Sequence, residues 1–132
     1  MTVETKHLIS LDQAKQLTAR YRKGKTSLLN EEFAKKDVLP VCETFERSAF
    51  DQILAQPGCV GVRAYYGMDE ESKVHLLFVG VNEKNEDILP VESDNIDYKM
   101  RASATLTSGN AVIVENGTRC PDTCPPPSTI NP

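Results

Sequence analysis

Cys59-Val60-Gly61-Val62-Arg63-Ala64-Tyr65-Tyr66-Gly67 is followed by a polar stretch, Met68 to Lys73, and then by Val74-His75-Leu76-Leu77-Phe78-Val79-Gly80-Val81. Two β-rich apolar runs joined by a short charged loop read as an antiparallel hairpin. No other part of the chain has enough apolar density to be the centre of a core, so this run decides the fold. Pro57-Gly58 stops the element before it. Side chains alternate across a strand, so a register that pairs Tyr66 with Val74 sets Tyr65 opposite His75 and Arg63 opposite Leu77. One face then carries Val60, Val62, Ala64, Tyr66, Val74, Leu76 and Phe78, and it is expected to be the core face, covered by helices. The other carries Gly61, Arg63, Tyr65, His75, Leu77, Val79 and Val81. It is too apolar for open water, yet it holds three polar groups.

Three readings of that second face follow. Arg63, Tyr65 and His75 can line a pocket for an anion. They can instead be polar tips reaching solvent from a half-covered sheet. The face can also be an interface, since an apolar centre with Tyr and Arg is what interfaces enrich.

Outward from the hairpin, Ser10 caps a helix over 11–23, with Gln13 at the capping-box position and Leu11, Ala14, Leu17 and Tyr21 in one stripe. Arg20, Arg22 and Lys23 complement the dipole of its last turn, and Gly24 is its expected C′ residue. A short helix is expected around Leu28, Leu29 and Phe33, capped by Ser27 or Asn30. An edge strand is expected over 38–45, where Pro40 cannot donate to a ladder. A second short helix is expected over 49–56, capped by Ser48. Strands are expected at 88–91 and 111–115, with Asn116-Gly117 closing the latter. Residues 92–110 read as a long loop with a hidden strand near 102–107. The fold class is therefore α+β, with an antiparallel sheet of four or five strands and both helices packed on one face. Residues 1–124 form one domain, and 125–132 a stiff, proline-rich tail.

The chain of 132 residues carries a net charge of −4. That balance argues against a general binder of nucleic-acid phosphates. No apolar run approaches the roughly 20 residues that span a bilayer. Met1 to His7 lacks the apolar core of a secretory signal, which makes the cytoplasm the default location, with non-classical export left open. The basic run Arg20 to Lys25 is accounted for by the helix end.

Cys120-Pro121-Asp122-Thr123-Cys124 has zinc-compatible spacing, but a zinc site needs two further matched ligands. Cys42, Cys59, His7 and His75 do not supply them, and no metal or other cofactor is expected. Two free thiols are the simplest reading, and a Cys120–Cys124 disulfide is the alternative in an oxidising setting. Such a bond would fix the direction in which the tail leaves the domain. Cys42 and Cys59 are expected to be buried small hydrophobes. No nucleophile elbow, phosphate loop, metalloprotease helix or dinucleotide fingerprint is present.

Gln56-Pro57-Gly58-Cys59 through Gly67, Leu77 to Val81, the helix after Ser10 and the late Cys-Pro pair together resemble a group of small uncharacterised bacterial proteins. That resemblance implies an intact natural domain and no particular activity. The function expected from the residues is non-enzymatic binding or assembly, with a second copy or another protein as partner. Arg63, Tyr65, His75, Leu77 and Val79, the proline-marked strand edges and the tail are the expected contacts. The alternative is a small anionic-ligand binder or an enzyme. There Arg63 would hold the anion and His75 would move the proton.

Overall fold

The computed structural model describes residues 5–91 and 111–132. The strand expected near 102–107 lies outside the described residues. Helix α1 spans Leu11–Gly24, a 3-10 turn Lys25–Leu28 follows, and α2 is the single turn Glu31–Ala34. Strand β1 is Cys42–Thr44, helix α3 is Arg47–Leu54, and the hairpin is β2, Gly61–Met68, with β3, Val74–Val81. Strands β4, Asp87–Ile88, and β5, Thr118–Cys120, complete the described elements. The class is α+β, but the strands make two antiparallel sheets, β1-β5 and β2-β3-β4, in place of one sheet of four or five. The expected sheet is split because β1 finds its partner in β5, which is short and polar and carries no local strand signal.

Pairing in the hairpin sets Met68 opposite Val74 and Tyr66 opposite Leu76, a shift of two residues from the expected register. Loop chemistry explains the shift. The Asp69 Oδ1 accepts the backbone N–H groups of Glu71 and Lys73, both at 2.9 Å, and Ser72 takes φ +66°. The loop is thus Asp69–Lys73, and β2 runs on to Met68. The next connection repeats the device: Asn82 Oδ1 accepts from Lys84 and Glu86, and Asn85 takes φ +65°. Asp and Asn support such turns by capturing backbone donors two and four residues on. Because the shift is even, every side chain keeps its expected face.

Strand β3 is the centre. Its outer N–H groups at Val74, Leu76 and Phe78 donate to Val38 O, Glu43 Oε2 and Val114 O at 2.7, 3.2 and 2.7 Å. Gly80 pairs with Ile88 beyond them. Residues 111–115, expected as a strand, pair with the β3 backbone at a single bridge, Phe78–Val114, and form no strand of their own.

Helix α3 begins at Arg47, two residues before the expected start, and Glu46 holds the cap position expected for Ser48. It ends before Gly58, whose φ of +78° is one that glycine adopts without steric cost. Ile53 of this helix is 0% exposed. Phe45, Phe50 and Phe78 stack edge to face at 5.0–6.1 Å between centroids. Gly117 lets the chain pass Phe45: a Cβ there would lie 2.5 Å from the ring.

Helix α1 starts as expected. Ser10 Oγ accepts the Gln13 N–H at 3.1 Å, and Gln13 Oε1 accepts the Ser10 N–H at 2.9 Å. Its packing differs, since Leu11 and Leu17 are exposed and no residue of the helix is buried. Ala14, Thr18 and Tyr21 face the body, and the Tyr21 hydroxyl donates to Pro40 O at 2.6 Å. Gly24 keeps right-handed φ of −102°, because the chain continues into the 3-10 turn. Two cations of the basic run are used structurally: Arg22 donates to Ile130 O and Lys25 to Leu39 O.

The tail folds back through that Arg22 contact and a Ser128–Asn131 bridge. Cys120 and Cys124 are joined as a disulfide, the alternative to the simpler reading as free thiols, and Cys42 and Cys59 are half-buried free thiols.

Candidate functional site

Arg63, Tyr65, His75, Leu77 and Val79 all project from one face of the hairpin, as alternation requires. Their polar ends belong to two separate networks. Arg63 pairs with the Asp87 carboxylate and donates to Asn85 Oδ1, while the Tyr65 hydroxyl donates to the other Asp87 oxygen. The Tyr65 hydrogen bond is the main cause that holds the Asp87 carboxyl below its ordinary value, with Arg63 adding to it. The same bond raises the Tyr65 phenol.

His75 lies opposite Gly67, at the other end of the strand pair. Its Nε2 is 2.7 Å from Asp69 Oδ2, and its Nδ1 is 3.8 Å from Glu43 Oε1 and 3.7 Å from Glu115 Oε1. The Asp69 carboxyl is lowered first by the Lys73 backbone N–H and then by His75. Glu43 projects from β1 directly opposite Arg119 of β5. Its side chain is 1% exposed, and its Oε1 sits 3.6 Å from Arg119 Nε without a hydrogen bond. Arg119 donates onward to Val74 O at 3.3 Å and Asp37 O at 3.0 Å.

This second cluster ties β1, β5, the start of β3 and the β2–β3 loop together. A buried acid, an imidazole and a guanidinium are close, yet Glu43 is sealed from any substrate. Among the described residues, no group of three His, Cys, Asp or Glu side chains could hold a metal ion. Neither network leaves a free cation facing outward for an anion. Leu77 is half-buried, and Val79 is 1% exposed, so its side chain is closed to a partner in this arrangement.

The opposite face is open where it was expected to be closed. Helix α3 lies over the end of β3 at Phe78 and Gly80 and also approaches β2, yet the β2 side chains on this face stay exposed. Tyr66 is 82% exposed and Met68 65%, and Val62 is exposed beside them. The outer edge of β2 pairs with no strand among the described residues. Because Val74, Leu76 and Phe78 donate away from β2, the hairpin ladder uses odd-numbered positions. The N–H and C=O groups of Val62, Ala64 and Tyr66 therefore point outward along the edge. Sequence reasoning did not single out Glu43, Asp87 or Arg119, whose partners are remote in the chain, nor Asp69, whose partner His75 is six residues on. The Asp69-Glu70-Glu71-Ser72-Lys73 turn was the one local signal available for Asp69.

Comparisons of the chain with protein-family models, with characterised proteins and with solved structures find no match. No helix among the described residues is long and apolar enough to cross a membrane.

Proposed function

We propose that the protein is a non-enzymatic assembly module that associates with further copies of itself through the open edge and bare face of β2. One observation carries the reading: among the described residues, an eight-residue edge strand is unpaired along its outer side, and the side chains beside that edge are apolar. Edge strands are normally blunted by charge or proline. Within Gly61–Met68 the only charged residue is Arg63, and it is tied back to Asp87. Antiparallel pairing of two such edges about a twofold sets even positions against even positions. The Val62, Ala64, Tyr66 and Met68 side chains of both copies then merge into one apolar surface. The interface is isologous, which suits a closed dimer.

The rival reading, an anionic-ligand binder or enzyme using Arg63, Tyr65 and His75, has less support. Asp87 already neutralises Arg63 and accepts from Tyr65, and His75 belongs to another network.

Sedimentation velocity over the micromolar range tests the proposal. The native chain should show a concentration-dependent dimer. Ala64→Pro removes an outward donor without touching the hairpin ladder, and Tyr66→Lys places a charge on the bare face. Both should shift the chain to monomer with an unchanged circular dichroism spectrum. A native chain that stays monomeric, or a dimer indifferent to both substitutions, overturns it.

A further inference from the structure

Cys120 is bonded to one cysteine and stands opposite another across a strand pair. The bonded one is Cys124, with a Cα separation of 4.5 Å. The other is Cys42, a free half-buried thiol whose partner across the β1–β5 pair is Cys120 itself. Directly opposed residues of an antiparallel pair share a face. Their Cα atoms lie about 4.5–5.5 Å apart, inside the roughly 4.4–6.8 Å that a disulfide spans. The fourth cysteine is held elsewhere, since the Cys59 thiol donates to Gly61 O at 3.2 Å beside the other sheet. A thiol set opposite a disulfide sulfur is the arrangement that exchange requires.

We infer that Cys42, Cys120 and Cys124 form a thiol–disulfide relay within the chain. Deprotonated Cys42 attacks the Cys120 sulfur. A Cys42–Cys120 bond forms as the Cys120–Cys124 bond breaks, and the electron pair leaves on the Cys124 sulfur. Cys124 takes a proton from solvent, replacing the one Cys42 gave up. One disulfide and one thiol are present before and after, so no oxidant or reductant is consumed.

The exchange changes what the bond does. Cys120–Cys124 closes a ring within the C-terminal segment, with a sequence separation of 4. Cys42–Cys120 instead clamps β1 to β5, which joins distant parts of the chain. It also converts a half-buried thiol into an exposed one, because Cys124 lies at the surface next to Pro125. The released thiol is placed to form a mixed disulfide with a thiol on a partner surface, whereas Cys120, 5% exposed, is not. The relay therefore delivers a reactive thiol to the tail while its own disulfide stays inside.

Non-reducing peptide mapping tests this. The native chain is held folded at mildly alkaline pH, quenched with acid, alkylated and digested. A peptide linking Cys42 to Cys120 should appear together with alkylated Cys124. In a Cys124→Ser chain equilibrated with reduced and oxidised glutathione, alkylation of Cys42 should be lost as Cys42–Cys120 becomes the sole disulfide. In Cys42→Ser, Cys120–Cys124 should be the only pairing. If Cys42 stays fully alkylated in the native and Cys124→Ser chains while Cys120–Cys124 re-forms in Cys42→Ser, the relay does not exist. Pairing of Cys42 with Cys59 in place of Cys120 overturns it equally. Should Cys124→Ser not fold, the native chain alone decides between the two outcomes.

Discussion

The two strands of the hairpin are equal in length, with β3 the more aliphatic, and they live in different surroundings. Strand β3 spends its outer edge on remote segments: Val38, Glu43, Val114 and Ile88 each take one position. Among the described residues, no strand pairs with the outer edge of β2, and the side chains on one of its faces are exposed. Local propensity made both of them strands. Tertiary partners, drawn from far along the chain, made one a core strand and left the other an edge. The difference teaches that an apolar strand is not thereby a buried one. Where it stays exposed without a charge or proline to guard it, association is the reading that best accounts for it.

The comparison should break most visibly at matched valines. Val79→Ala on β3 removes two buried methyl groups from a side chain 1% exposed, and should cost about 2 kcal/mol. Val62→Ala on β2 should change monomer stability by no more than about 0.5 kcal/mol, as exposed sites do. Urea unfolding at low protein concentration measures both. Equal losses would mean that β2 is covered in the monomer.

Glycines sharpen it next. A Cβ at Gly80 of β3 would meet Gln56 Nε2 at 2.7 Å and Cys59 Sγ at 2.9 Å. Gly80→Ala should therefore cost about 1–3 kcal/mol through overpacking. Gly67 of β2 has its nearest neighbour, Leu77 Cδ2, at 3.4 Å, so Gly67→Ala should be neutral or slightly stabilising. Thermal unfolding of the two variants separates them, and a Gly80→Ala chain as stable as the native one would contradict the packing at α3.

Acid provides the smallest effect. The folded Asp87 carboxyl lies below its ordinary value because of Tyr65 and Arg63. A depressed carboxylate stabilises the fold at pH above its unfolded value, about 3.9. That contribution fades as pH falls through the folded value. Asp87→Asn should therefore flatten the loss of melting temperature between about pH 5 and 2. A profile parallel to the native one would show that the Arg63–Asp87–Tyr65 network contributes nothing to folding.

Much of this was legible in the sequence, for reasons that are local. Ser10 and Gln13 spell a capping box, Pro57-Gly58 spells a stop, and the alternation along 59–81 spells a hairpin; which side chains share a face was read correctly, but the face expected to be covered is open along β2. The register missed by two because the capture of Glu71 and Lys73 by Asp69 was not read from Asp69-Glu70-Glu71-Ser72-Lys73. What was not legible is long-range. Thr118-Arg119-Cys120 has no strand signature of its own, and it becomes β5 only because Cys42-Glu43-Thr44 lies beside it. The stripe Leu11, Ala14, Leu17 and Tyr21 identifies an amphipathic helix without saying what it meets. Here the body takes Ala14, Thr18 and Tyr21 and leaves both leucines in water. The same limit hid the site, since Arg63 finds Asp87 and His75 finds Glu43 across distances in the chain that no periodicity reports.

The central claim is that the open edge of β2 is where a second copy binds, and amide hydrogen exchange at low and high protein concentration tests it most directly. The amides of Val74, Leu76 and Phe78, already bonded to remote segments, should be protected at both. Those of Val62, Ala64 and Tyr66 should exchange freely when dilute and become protected on concentration, in step with dimer formation. If the protein associates while these three amides remain equally fast, or if they are already protected in the monomer, the edge is not the interface.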